Sequence, residues 1–358
     1  MTALSTDEGA TQGPAPAERR ALAPCPLRIE PATRERLQRG LDEHVLACLH
    51  YGIDAPPVAD PRLVPIALDP VGQGSAAELW LSNEPVSTGV TDGIHHTTNS
   101  EVLFGWLHLS EADIANMERS VLRAYVRADQ LIRTLGYPNW LRAWNYLARI
   151  TDGAGDAERY RQFSLGRHHA VALRPGFEQT LPAATAIGTH GEGLTLCFLA
   201  GRTPALQVEN PRQVSAFRYP REYGPRSPSF SRAMLKHWRD CSLLFVSGTA
   251  SVVGHATLHP GDSERQLLET LANVDALLTH AARLHLGGSS SLGFTPEGVK
   301  LYVRTEQSLA EVEHIVQQRL RPHGPVAILK GDICRTDLAL EVESVFRWRA
   351  DQDSRGRA

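Results

Sequence analysis

Two glutamates, a cysteine and an arginine crowd one short stretch, VAILKGDICRTDLALEVESVF, from Val326 to Phe346. Leu338, Leu340 and Val342 alternate with Ala339, Glu341 and Glu343, the period of two that marks a half-buried strand. The pattern predicts a strand pair joined by a polar turn at Arg335-Thr336-Asp337. The apolar set faces a core and Glu341 and Glu343 project from the other side, with Cys334 and Arg335 across the turn. A carboxyl on a rigid strand becomes a general acid when burial raises its pKa toward the operating pH. The rival reading is a solvated strand face for the glutamates and a small buried filler in Cys334.

An anionic substrate would suit such a carboxyl. The segment ENPRQVSAFRYPREYGPRSPSFSRA, Glu209 to Ala233, carries Arg212, Arg218, Arg221, Arg226 and Arg232. Guanidinium forks bind carboxylates bidentately. By composition alone this is equally a solvated linker. Phe217, Tyr219, Tyr223 and Phe230 make it more apolar than a flexible spacer, and long ordered loops are often functional. Arg304 ends the strand VKLYVRT, and Gly248 in SGTAS permits close approach of a ligand or simply serves a bulge. Arg304 is equally a surface ion-pair partner.

The elements that position these residues repeat. LLFVSGTASVV reads as a strand and SERQLLETLANVDALLTHAARLHL as a long amphipathic helix capped at Asp262-Ser263. VKLYVRT is a strand, LAEVEHIVQQRL a helix, and the Val326–Phe346 pair closes the unit. Earlier in the chain, EVLFGWLHL is a strand and SEADIANMERSVLRAYVRADQLIRTLG a helix with a Ser-x-x-Asp start. LRAWNYLARI is a strand, DAERYRQFSLGRHHAVA a helix and TAIGTHGEGLTLCFLAG a strand pair. Two copies of β-α-β-α-β-β predict an α+β protein of two domains, each a mixed sheet with helices on one face. The expected division is a disordered tail over 1–23, domains over 24–205 and 234–350, an ordered Arg- and Tyr-rich connection over 206–233, and a tail over 351–358.

Composition narrows the function classes. A net charge of −3 without a basic tract excludes the usual electrostatic footprint of nucleic-acid or anionic-membrane binding. No apolar run approaches the roughly 20 residues of a membrane span. No secretory pattern opens the chain. The five cysteines are scattered without a CxxC pair, which predicts free thiols and a cytoplasmic setting. His255 and His259 lie four apart, but Pro260 and Gly261 follow them. With no HExxH in the chain, the fifteen histidines predict no metal site. GxSxG, Walker and GxGxxG motifs are missing from the sequence.

The strings ENPRQVSAFRYPREYGPRSPSFSRA, LLFVSGTASVVGHATLHPGD, LLETLANVDALL and GDICRTDLALEVE resemble the chorismatases, as do LRAWNYLARI and ERYRQFSLGRHHA. The resemblance runs from about residue 25 to about 346. It implies two YjgF/Rid-like (chorismate mutase-like) domains and cleavage of the enolpyruvyl ether of chorismate, releasing pyruvate, with no cofactor. It assigns the catalytic acid to Glu341, which would protonate the enolpyruvyl methylene carbon. It aligns Cys334 with a cysteine of the hydroxybenzoate-forming members, and Gly248 with a small pocket residue that varies between subtypes. Together they imply 3-hydroxybenzoate, with 4-hydroxybenzoate or the cyclohexadiene diol as other products. Arg304, Arg232, Tyr219 and Arg167 are the expected substrate-binding residues. Ala256 departs from the acidic residue expected after Gly254-His255. A Rid-type imine hydrolase and a non-catalytic aromatic-acid binder are the alternatives. With both units in one chain, the expected state is a monomer.

Overall fold

Alternating strands bury both their faces here, because a second sheet covers the side that a lone domain would leave to water. The computed structural model describes residues 23–52, 60–71, 76–320, 323–324 and 326–349; apart from Ala23, the two expected tails lie outside the described residues. One seven-stranded sheet has the order Asp332–Ile333, Ala183–Thr189, Asn139–Ala148, Leu194–Gly201, Val102–Leu109, Ile94–Thr98, Ser87–Thr91. The other runs Leu206–Val208, Ala233–His237, Ser242–Thr249, Leu340–Trp348, Phe294–Val303, Val326–Lys330, Asp69–Pro70. Each contains one parallel pair. Asn139–Ala148 lies parallel to Ala183–Thr189, and Phe294–Val303 to Val326–Lys330. A helix bridges each pair, Arg159–Val171 in the first and Glu306–Ile315 in the second, as a parallel crossover requires. The two-unit α+β expectation therefore holds.

Side-chain alternation sorts the strands into an inner and an outer core. Ala143 and Leu147 pack toward the helices Met117–Thr134 and Arg159–Val171, while Trp144 and Tyr146 turn inward. In the second sheet Leu340 and Val342 join the helix-side core, and Phe245, Tyr302 and Val345 turn inward. The inward residues of both sheets form one cluster. A third sheet of Leu27–Ala32, Ala77–Ser82, Val45–Tyr51 and Leu63–Ile66 adds Ile29, Leu49 and Trp80 to it. This sheet has no counterpart in the repeat and was not foreseen.

Two local expectations are corrected. Val326–Lys330 and Leu340–Trp348 do not pair with each other, since Phe294–Val303 lies between them and pairs with both. The chain between them instead leaves the second sheet, and Asp332–Ile333 adds to the edge of the first. The first long helix begins not at Ser110 but at Met117, where the Asn116 side chain caps the Arg119 amide at 3.0 Å. Ser110 and Asp113 bond each other across a turn that precedes the helix. The second long helix is capped by Asp262 as expected. Among the described residues no helix is long and apolar enough to cross a membrane.

The inner core makes a direct prediction. Phe245 is fully buried between the sheets and stacks on Trp80 at 6.4 Å between centroids. Phe245→Ala should lower the unfolding free energy by about 3–5 kcal/mol in a denaturant titration. A loss below about 1 kcal/mol would mean that the two inner faces are not packed on each other.

Candidate active site

Both glutamates point into the inner core, so the solvated-face reading is excluded. Register sets their neighbours: Tyr302 lies opposite Glu341 and Lys300 opposite Glu343. The two carboxylates then meet different surroundings. Glu343 Oε1 accepts from Trp144 Nε1 at 2.6 Å and lies 2.8 Å from Lys300 Nζ. Its Oε2 accepts from Tyr302 at 3.0 Å and lies 3.1 Å from Arg142 Nη2. Two cations and two neutral donors outweigh burial and hold Glu343 down at about 2.

Glu341 has no such clamp and lines a cavity of about 270 Å³ at the seam of the two sheets. It is 5 % exposed. Burial, then the charge on Glu343, raises its pKa to about 8 against the opposing pull of Arg142 and Arg232. At neutral pH this carboxyl carries its proton. Gly248 makes room for it, because a Cβ at that position would run into Glu341 Oε1. The Gly248 amide donates to Thr185 Oγ1 at 3.0 Å, which ties the two sheets together beside the acid.

Around Glu341 the cavity is cationic. Arg167, from the helix Arg159–Val171, is 2 % exposed, and its Nε and Nη2 have no hydrogen-bond partner. Its guanidinium lies over Phe163 and Phe230, at 5.1 and 5.8 Å from the ring centroids. Arg232 Nη2 donates to the Tyr219 hydroxyl at 2.6 Å and the Val214 carbonyl at 2.9 Å, and its Nε is unpartnered. Buried donors without acceptors are costly and mark places where a ligand supplies the acceptor. Arg167, Arg232, Tyr219, Gly248, Cys334 and Glu341 all line the one cavity.

Arg304 does not line it. Its Nε donates to the Leu338 carbonyl, its Nη1 pairs with Asp332, and its Nη2 bonds the carbonyls of Ile333 and Arg335. The expectation that Arg304 binds substrate is corrected: this guanidinium is saturated by the loop that carries Cys334. Arg335 takes the place at the cavity wall. It stacks on Tyr223 at 4.0 Å and Tyr219 at 5.2 Å and donates to the His255 carbonyl. Its position beside Cys334 in the turn was the available signal. Tyr160 and Arg161, also on the wall, were missed inside ERYRQFSLGRHHA because helical periodicity cannot say which polar side faces a cleft. Ala256 is exposed and does not line the cavity.

Cys334 sits beside Glu341, and burial with that neighbour pushes its thiol up to about 12. It is a neutral thiol at physiological pH rather than a nucleophilic thiolate.

A neutral carboxyl in a cavity with unpartnered guanidinium donors is chemically suited to protonating a small anionic molecule. Residues 78–200 match the family model described as chorismatase FkbO/Hyg5-like, N-terminal. A chorismatase of Streptomyces rapamycinicus is 38 % identical over 277 residues, 76 % of this chain and 82 % of its own. A 3-hydroxybenzoate synthase of Streptomyces hygroscopicus is 35 % identical over 75 % of this chain and 81 % of its own. A chorismatase crystal structure superposes with TM-score 0.80 at 31 % identity, covering 89 % of this chain and 98 % of its own. This chain belongs to the chorismatase family.

Thiol chemistry tests the environment of Cys334. Cys25 and Cys334 are both partly exposed, but interaction with Cys241 lowers the pKa of the Cys25 thiol while burial raises that of Cys334. Iodoacetamide at pH 7.5 should therefore alkylate Cys25 well before Cys334, read by peptide mass spectrometry. Preferential labelling of Cys334 would contradict a protonated thiol at that position.

Proposed function

We propose that this protein cleaves chorismate to 3-hydroxybenzoate and pyruvate, with Glu341 as the general acid. The observation that carries this reading is a protonated Glu341 carboxyl lining the same cavity as Arg167 and Arg232, two buried arginines that each keep at least one N–H donor without a partner. Chorismate is a small dianion whose two carboxylates match that donor set. Arg232 and Arg167, with the Tyr219 phenol held by Arg232, are the groups we assign to the substrate carboxylates.

The reaction then follows from proton bookkeeping. Glu341 gives its proton to the enolpyruvyl methylene carbon, and the ether oxygen shares the resulting positive charge. The ring hydroxyl oxygen closes onto the ring carbon that bears the ether. The ether bond breaks with its electron pair passing to the pyruvyl oxygen, and pyruvate leaves as its ketone. The hydroxyl proton is released and an arene oxide remains. It opens as the ring loses a proton and the phenolic oxygen gains one. Two protons are taken up and two are released, so Glu341 is restored. Hydroxybenzoate and pyruvate together equal chorismate atom for atom. Diol formation differs by consuming one water, so water near the cation decides between the two routes.

Cys334 is the residue we assign to that decision. Its protonated sulfur is a weak hydrogen-bond partner and fills space that a water would otherwise take beside Glu341. Gly248 lets Glu341 occupy its position, and a side chain there would displace the acid. Both sheets and the connecting loop of one chain contribute to the cavity wall, which supports a protein that works as a monomer.

Purified protein incubated with chorismate should release one pyruvate per turnover together with an aromatic acid on chromatography. Glu341→Gln should reduce kcat by about 10²–10⁴-fold while chorismate still binds. Ammonia release from an imine, or binding without turnover, would replace this reading by the imine hydrolase or the binding module. Cys334→Ala should raise the share of diol in the products, and an unchanged profile would remove Cys334 from the choice of route.

A further inference from the structure

Glu343 lies two residues from the proposed acid, on the same strand face, yet it does not line the cavity. It sits behind Glu341, about 7 Å away along the strand. We infer that Glu343 is a positioning residue for the acid: an ionised carboxylate, locked by Arg142, Lys300, Trp144 and Tyr302, whose charge adds to burial in keeping Glu341 protonated until substrate arrives. This inference rests on the proposed role of Glu341.

Its geometric basis is the asymmetry of the pair. Each Glu343 oxygen meets one cation and one neutral donor. Among the described residues none is hydrogen-bonded to the Glu341 carboxyl. A proton added to the pair therefore breaks the clamp if it goes to Glu343 and breaks nothing if it goes to Glu341. The surrounding titratable groups support that sign. Around Glu343, Tyr146 and Cys197 face it from the first sheet, and Tyr51 and Glu78 from the third. The phenols and the thiol are held neutral by burial, and Lys300 lies between Glu78 and Glu343 at 3.0 and 2.8 Å. Around Glu341, Arg142 and Arg232 favour ionisation, and Cys334 and Tyr160 are neutral. The negative charge of Glu343 thus opposes the two arginines. Arg142 acts on both carboxylates: its Nη2 pairs with Glu343, and its charge also favours ionised Glu341.

The test is the pH profile. In the wild type, kcat/KM for chorismate should fall as pH rises through about 8, where Glu341 loses its proton. Glu343→Gln removes the negative charge and unmasks Arg142 and Lys300, and all three changes favour ionised Glu341. The alkaline limb should move down by about one pH unit or more, while Glu343→Asp, which keeps the charge, should stay near wild type. A lower rate with an unmoved limb would reduce Glu343 to a structural part and overturn the inference. If Glu343→Gln fails to fold, Lys300→Met supplies the opposite sign. Loss of that cation should move the limb upward, and an unmoved limb again overturns the inference. Infrared titration of the free protein separates this from the function itself. The carboxylic-acid band present in wild type and lost in Glu341→Gln should titrate near pH 8. No such band at neutral pH overturns the inference, whereas a titrating band without chorismate turnover overturns only the proposed reaction.

Discussion

One ammonium group holds three sheets to a common centre. Lys300, on the interior strand Phe294–Val303 of the second seven-stranded sheet, lies 3.0 Å from Glu78 of the small sheet and 2.8 Å from Glu343. Glu343 in turn reaches Arg142 and Trp144 of the first sheet, and Glu78 accepts from Trp80. Two anions and two cations balance inside an apolar core, and both Glu343 oxygens are filled. Breaking one partner of such a cluster leaves an uncompensated charge in low dielectric, which costs far more than the intact cluster contributes. The cluster is therefore better understood as fixing register and spacing between sheets than as a source of stability. The position of Glu341 relative to Arg142, Arg232 and the cavity is inherited from that fixation.

Much of this was legible in the chain. The period of two along Leu338–Glu343 gave the strand and separated its faces, and Asp262 gave a helix start, because these signals are local. The repeat gave the order of elements and with it the α+β class. What lay across the strand was not legible. Alternation says that Glu341 and Glu343 share a face, but not that another sheet covers it. The strand pairing was misread for the same reason, since sequence neighbours need not be neighbours in a sheet when a third strand intervenes. Arg304 illustrates the limit for site residues. An arginine at a strand end reads the same whether its fork meets a ligand or, as here, the carbonyls of Ile333, Arg335 and Leu338.

The cavity owes its character to being a seam. Neither sheet alone encloses it: Arg167 arrives from a helix of the first unit, Glu341 from the second sheet, and Tyr219, Tyr223 and Arg232 from the connection between them. A seam can leave guanidinium donors unpaired where a single core would have matched them during packing. The arginines over Phe163, Phe230 and Tyr219 lie against aromatic faces, and among the described residues neither forms an ion pair. That leaves their N–H groups available to an incoming carboxylate.

The strand Leu340–Trp348 lies inside its sheet, between Ser242–Thr249 and Phe294–Val303, yet it is made after both of them. During synthesis those two neighbours emerge without the partner that joins them, and their inward faces wait beside a first sheet that lacks one edge strand. The first sheet also waits, since Asp332–Ile333 supplies its edge. A nascent chain of this kind holds two incomplete sheets with exposed apolar faces until residues 332–348 appear, the interval in which aggregation competes with folding. The strand that carries Glu341 is also the one that ends that interval, so the cavity and the two complete sheets come into being together.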